Sequence, residues 1–133
     1  MVLRRLLSVA LLPLLASCAS WENDPLVISL NGKTEVMLHV ASRASYTARH
    51  WSSVGFSAEC SVNDENVIRL VNTRLVYLHP ENMKAGRLPS GGDEARKIFH
   101  FEAVSKGEAV ITFRKLFRGE LQETTEVKIT VRE

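Results

Sequence analysis

The sequence feature that most constrains the fold is a pair of short segments in which apolar and polar residues alternate. Ile98–Ala103 has the sequence Ile-Phe-His-Phe-Glu-Ala, and Ala109–Phe113 has the sequence Ala-Val-Ile-Thr-Phe, with Lys106-Gly107-Glu108 between them. A period of two bounded by glycine is typical of half-buried strands. We therefore predict a β-hairpin core here, flanked by two exposed loops where binding residues are expected.

Similar segments predict further strands at residues 26–30, 34–40, 55–62, 67–78 and 125–131. Asn31-Gly32 predicts a hairpin turn. Two stretches without apolar periodicity are assigned to loops: Ala41–His50 and the polar connection Glu120–Thr124. The result is about seven strands and no long amphipathic helix, which favours a single all-β domain, an immunoglobulin-like antiparallel β-sandwich.

The N-terminus predicts the cellular compartment. Arg4 and Arg5 precede the apolar run Leu6–Leu15, which is shorter than the roughly 20 residues of a spanning helix and is typical of a secretory signal. Leu15-Ala16-Ser17-Cys18 resembles the bacterial lipobox, where signal peptidase II cuts before a lipid-bearing cysteine. The alternative is an ordinary cleaved signal with an incidental cysteine.

We accordingly predict a signal peptide over residues 1–17, a lipidated Cys18 with a tether to residue 25, and a β-sandwich domain over residues 26–133. Ala19 follows Cys18, and by resemblance to the bacterial sorting rule it favours a lipid anchor in the outer membrane, on the periplasmic face. Several acyl chains on one residue anchor a protein far more firmly than a single myristoyl group does.

The net charge and the cysteines limit the kinds of partner and chemistry that are expected. Removal of residues 1–17, whose charges are Arg4 and Arg5, leaves 116 of the 133 residues, with 15 basic and 15 acidic side chains. A neutral domain gives no electrostatic reason to expect nucleic acid. Cys60 shares the apolar side of its strand with Ala58 and Val62, so it is predicted to be a buried hydrophobe rather than a reactive thiol.

Nothing in the sequence indicates an enzyme. His39, His50, His79 and His100 are scattered, without the spacing of a metal motif, and His100 is assigned to a solvated outer face. Neither a nucleotide-binding glycine motif nor a nucleophile elbow occurs. We predict a monomer with no catalytic residues, no metal and no cofactor.

The C-terminal half resembles a known family. It contains, in order, Gly91-Gly92, Phe99-x-Phe101, Ile111-Thr112-Phe113 with a basic, aromatic tip, and Val127-x-Ile129-x-Val131. This order resembles the one seen in the chagasin-type inhibitors of papain-like cysteine peptidases. This resemblance implies an immunoglobulin-like sandwich. It also implies three loops at one end of the sandwich that form a wedge and plug the peptidase cleft.

The three loop motifs of the family are partly kept. The first, Asn-Pro-Thr-Thr-Gly, falls on Ala44–Ala48, where Thr47 matches the residue that enters the cleft and Tyr46 is new. The second, Gly-x-Gly-Gly, falls on Pro89–Gly92, and the third, Arg-Pro-Trp or Arg-Pro-Phe, on Lys115–Phe117. The resemblance thus implies these peptidase-binding residues: Tyr46, Thr47, Ser90, Gly91, Gly92, Lys115, Phe117 and Arg118.

Other interpretations of these residues stay open. Gly91-Gly92 is also typical of a plain turn, Phe117 of a core residue at a strand end, and Lys115 and Arg118 of a solvated face. The sequence therefore favours a membrane-anchored, reversible inhibitor of a papain-like cysteine peptidase. The alternative is a lipoprotein that uses the same fold as a non-inhibitory protein-binding or assembly module of the envelope.

Overall fold

The computed structural model describes residues 26–83 and 92–133, which form an almost entirely β structure. Its elements, in chain order, are β1 (Val27–Ser29), β2 (Glu35–His39), β3 (Arg43–Trp51), β4 (Phe56–Val62), β5 (Ile68–Tyr77), a 3-10 turn (Pro80–Met83), β6 (Glu94–Ala103), β7 (Gly107–Phe117) and β8 (Glu120–Arg132). No helix in these two ranges is long and apolar enough to cross a membrane. The predicted signal peptide, lipidated Cys18, tether, Ser90 and Gly91 lie outside the described residues.

The strands form two packed layers. Their hydrogen-bonded order is β2-β8-β7-β4-β3-β6-β5, with β1 beside β3. The path folds over between β3 and β4, which pair only through Trp51 and Phe56. Across the interior, the rings of Tyr46 on β3 and Phe113 on β7 stack with centroids 3.7 Å apart. The predicted immunoglobulin-like β-sandwich is confirmed, and the described residues contain eight strands where about seven were expected.

The core consists of the inward residues of alternating segments. Its largest fully buried side chains include Phe101, Phe113, Ile111, Val127, Ile129 and Val131. These are the positions that the period of two selects in the C-terminal half. Cys60 packs against this core, and burial raises the pKa of its thiol, so Cys60 stays neutral at neutral pH.

Two predicted hairpins are wrong, although the turns themselves occur. The strands before and after Lys106-Gly107 belong to opposite layers: β6 pairs with β3 and β5, and β7 with β4 and β8. Likewise, β1 and β2 flank Asn31-Gly32, but β1 pairs parallel with β3 and β2 parallel with β8. A local turn pattern indicates where the chain bends and does not indicate which distant strand becomes the partner.

Both segments assigned to loops are also strands. Ala41–His50 contains most of β3, where Ala44, Tyr46 and Ala48 are buried and alternate with more exposed residues. Glu120–Thr124 begins β8 and pairs with the end of β7. His100, expected on a solvated face, is only 3% exposed, and it lies between Ser45 on β3 and Asn72 on β5.

Candidate protein-binding rim

Four strands reach the same edge of the sandwich. Phe117 on β7 lies opposite Phe56 on β4, Phe56 lies opposite Trp51 on β3, and Trp51 lies opposite Glu94 on β6. The β3–β4 loop, the residues that lead into β6 and the β7–β8 turn therefore come together. We call this edge, made of residues 52–55, 92–93 and 118–119, the rim.

The β7–β8 turn is a tight two-residue hairpin. Phe117 and Glu120 pair directly, and the φ angles of Arg118 and Gly119 between them are 50° and 80°. Two consecutive positive φ angles are the signature of the hairpin turn that best matches strand twist. The Arg118 guanidinium lies 5.2 Å from the centroid of the Phe117 ring. The basic, aromatic tip expected from the sequence thus lies in this two-residue turn.

Aromatic rings and an arginine form a ladder just below the rim. The rings of Phe56 and Phe117 are 4.8 Å apart and those of Trp51 and Phe56 are 6.4 Å apart. The Arg49 guanidinium lies over both Trp51 (4.8 Å) and Phe56 (4.9 Å), and its Nε donates to Glu94 at 3.0 Å. We call Arg49, Trp51, Phe56 and Phe117 the aromatic ladder.

The sequence interpretation missed most of this ladder. Tryptophan, arginine and other large aromatic residues dominate binding energy at protein interfaces. The available signal was the arrangement of Trp51 and Phe56 on either side of the short polar stretch Ser52–Gly55, which is typical of a turn between two strands.

The structure brings some predicted site residues to the rim and leaves others below it. Gly92, Phe117 and Arg118 lie at or next to the rim, and Lys115, paired with Glu123 at 3.3 Å, lies two residues below. Thr47 pairs with Ile98 in mid-strand. Thr47 is four positions from Trp51, which is roughly 13 Å along a strand.

Thr47 is held in place by a side chain that continues the strand pairing of β1. The Asn31 carboxamide accepts a hydrogen bond from the Thr47 N–H (2.9 Å) and donates to the Thr47 carbonyl oxygen (2.8 Å). Beside it is a groove of about 310 Å³ whose lining includes Thr47, Phe56 and Lys115. Thr47 is therefore connected to the aromatic ladder by a groove, although it lies below the rim.

Tyr46 does not lie on the rim. Its side chain is 4% exposed and stacks on Phe113 in the core, so it is not available to a partner. The assignment of Ala44–Ala48 to a rim loop was wrong, because these residues lie within β3. The loop that the structure has at this position is Ser52–Gly55. Ser90 and Gly91 belong to the segment that is not described.

One titratable group on the rim and one just below it have shifted pKa values. The hydrogen bond from the Ser53 hydroxyl lowers the pKa of the Asp93 carboxyl, although burial opposes it. Burial lowers the pKa of His50, the nearby Lys97 lowers it further, and Asp93 acts in the opposite direction. Lys97 donates through Nζ to the Ala58 carbonyl oxygen at 2.9 Å, which joins the two layers.

Within residues 26–83 and 92–133, no three His, Cys, Asp or Glu side chains form a group that could hold a metal ion. The described site consists of half-buried aromatic rings, exposed guanidinium groups and short loops. Such an arrangement is suited to contact with a protein surface.

The fold is shared with solved structures. The chain is similar to the crystal structure of the cysteine protease inhibitor EhICP2 from Entamoeba histolytica, with a TM-score of 0.58 and 12% identity over 80% of this chain and 94% of that one. It is also similar to the solution structure of amebosin, with a TM-score of 0.57 and 13% identity over 80% of this chain and 96% of that one. At these identities the similarity shows the fold alone. No family model and no curated protein matches the chain.

Proposed function

We propose that this protein is a membrane-anchored, reversible inhibitor of papain-like cysteine peptidases that binds its target by the rim. The observation that carries the proposal is the convergence of three loops, far apart in sequence, at one edge above an aromatic ladder. The similarity in fold to EhICP2, described as a cysteine protease inhibitor, supports it.

The residues at the rim suit a wedge that enters a cleft. Gly92 carries no Cβ, so the main chain at this point can approach a wall closely. Phe117 and Trp51 offer large apolar surfaces whose burial favours binding. Arg118 is exposed at the tip, where a charge affects the association rate more than the affinity. Binding by contacts alone, with no covalent step, is reversible.

The position of the rim fits an N-terminal anchor at Cys18. Val27 pairs with Arg43, at the end of β3 opposite to Trp51, so the chain enters the domain at the end remote from the rim. A nine-residue strand spans roughly 26 Å. A protein held through its N-terminus, which we place in the outer membrane on the periplasmic face, would direct the rim away from the lipid.

A second function is favoured by one observation. Thr47, the residue expected to enter the cleft, lies in mid-strand, and its main chain is bound by Asn31. A rim without that residue would suit an envelope module that binds another protein and does not inhibit a peptidase. The two functions share the same surface and differ in the partner.

Titration of papain with the purified chain distinguishes them. We expect competitive inhibition that Phe117→Ala weakens about 30-fold, the change that corresponds to about 2 kcal/mol for an aromatic residue central to an interface. Met37→Ala is the matched control, because Met37 is an exposed apolar residue on β2, which pairs with the far end of β8. No inhibition by the parent chain against papain and related peptidases would favour the second function. Equal inhibition by the Phe117→Ala variant would contradict binding by the rim and leave the chain an inhibitor.

The anchor is tested separately from the rim. Metabolic labelling with a radioactive fatty acid should mark the parent chain and not a Cys18→Ala variant, and the variant should leave the membrane fraction. Labelling that persists in the variant would contradict lipid attachment at this residue.

A further inference from the structure

The β3–β4 loop is hydrogen-bonded to the chain that leads into β6. Asp93, 7% exposed, accepts hydrogen bonds from the Ser53 N–H at 3.0 Å and from the Ser53 hydroxyl. The two residues are 40 positions apart in sequence. The pair therefore fastens two of the three rim loops to each other.

The opposite end of the same loop is in contact with the third rim element. The Gly55 carbonyl oxygen accepts a hydrogen bond from the Arg118 N–H at 2.8 Å. A Cβ at Gly55 would lie 2.8 Å from Arg118 Cγ, so the glycine permits this close approach. The loop Ser52–Gly55 is thus the central member of the rim, joined to a neighbour on each side.

The loop Ser52–Gly55 also has hydrogen bonds of its own. Ser-Ser-Val-Gly contains no proline, and its glycine has a φ of 108°. Within the loop, the N–H groups of Val54 and Gly55 both donate to the Trp51 carbonyl oxygen, at 3.2 and 2.8 Å. These bonds close the turn, and the contacts of Ser53 and Gly55 join it to the other two rim elements.

We propose that Ser53 and Asp93 are positioning residues, which hold the three rim loops as one preorganised surface before a partner arrives. We call this pair the clasp. Ordering flexible loops during association reduces affinity, and a rim that is already ordered avoids that cost. Only the expected effect of the clasp on peptidase binding rests on the proposed function. Its effect on the order of the loops can be measured without a peptidase.

Amide hydrogen exchange on the full chain tests the clasp directly. In Ser53→Ala we expect exchange about tenfold faster at the Val54 amide and also at the Arg118 amide, which the altered residue does not touch. Asp93→Ala removes both hydrogen bonds and should have the larger effect. Ser61→Ala, the same change at an exposed position on β4, should leave both amides unchanged.

Faster exchange confined to the β3–β4 loop, with the Arg118 amide as slow as in the parent chain, would overturn the proposal, because it would show that the loops move independently. Should Asp93→Ala fail to fold, Ser53→Ala and Ser53→Thr still decide the matter. The threonine retains a hydroxyl, so slow exchange should return in Ser53→Thr.

Inhibition supplies the second readout. We expect Ser53→Ala to raise the inhibition constant for papain about tenfold and Ser53→Thr to restore it, with Ser61→Ala unchanged. A parent chain that does not inhibit refutes the proposed function, and the exchange experiment then decides the clasp alone. An inhibiting parent whose Ser53→Ala variant inhibits equally well refutes the clasp and leaves the proposed function intact.

Discussion

The close approach of Gly55 to Arg118 leads to a quantitative prediction for Gly55→Ala. The φ of Gly55 is 108°, a region that disfavours a side chain by about 1–2 kcal/mol. The added Cβ would also lie 2.8 Å from Arg118 Cγ and 3.3 Å from Arg118 N, and such overpacking costs about 1–3 kcal/mol. We expect the free energy of unfolding to fall by about 2–5 kcal/mol, the sum of the two effects.

Gly119→Ala is the matched control. Its φ of 80° brings a similar backbone cost, but no atom lies within 4 Å of the Cβ that would be added. We therefore expect Gly119→Ala to lose only the backbone part, about 1–2 kcal/mol. The difference between the two variants isolates the contact between the loop Ser52–Gly55 and the β7–β8 turn.

Urea-induced unfolding of both variants and the parent chain measures these values, with a common slope as the check that the unfolded states are comparable. Thermal unfolding supplies a second measure, at roughly 4 °C per kcal/mol for a domain of this size. Equal destabilisation in Gly55→Ala and Gly119→Ala would refute the reasoning, because it would show that Arg118 yields to the new methyl group without cost.

Two further predictions concern the interior. Phe113→Ala, which removes a ring packed against Tyr46 and Phe101, should lower the free energy of unfolding by about 3–5 kcal/mol in urea titrations, and a loss below about 1 kcal/mol would contradict the central position of Phe113. Because the pKa of His50 is lower in the folded chain than in the unfolded one, stability is full above the ordinary histidine pKa of about 6.5 and declines as pH falls through the folded value. Thermal midpoints between neutral and acidic pH should fall less in His50→Gln than in the parent chain, and identical profiles would contradict the shift.

The sequence predicted the fold class and the C-terminal core because those strands alternate large apolar residues with polar ones. The N-terminal half was harder for a physical reason. In β3 the buried positions include Ala44 and Ala48. Alanine differs little from serine and threonine in size and hydrophobicity, so the alternation of buried and exposed residues could not be recognised and the segment was assigned to a loop. The polar start of β8, at Glu120–Thr124, lacks an apolar face and is defined by its pairing with β7.

The candidate site could be predicted only where its residues are neighbours in the sequence. The tip at Phe117 and Arg118 follows from a basic, aromatic sequence next to a glycine. The clasp could not be predicted, since a serine and an aspartate 40 residues apart carry no mutual signal until the fold brings them together. The hydrogen bonds between the Asn31 carboxamide and the main chain of Thr47 could not be predicted either, because the two residues are distant in sequence and Asn31-Gly32 indicated only a hairpin turn.

The parallel pairing of β2 with β8 has a consequence for how the domain folds. The β7–β8 hairpin joins neighbouring segments through a two-residue turn, so it can form early. By contrast, Glu35–His39 pairs with Lys128–Arg132, at the other end of the chain, and closing so long a loop is slow. A chain delivered from its N-terminus, by a ribosome or through a membrane pore, therefore keeps β2 unpaired until the last strand has emerged.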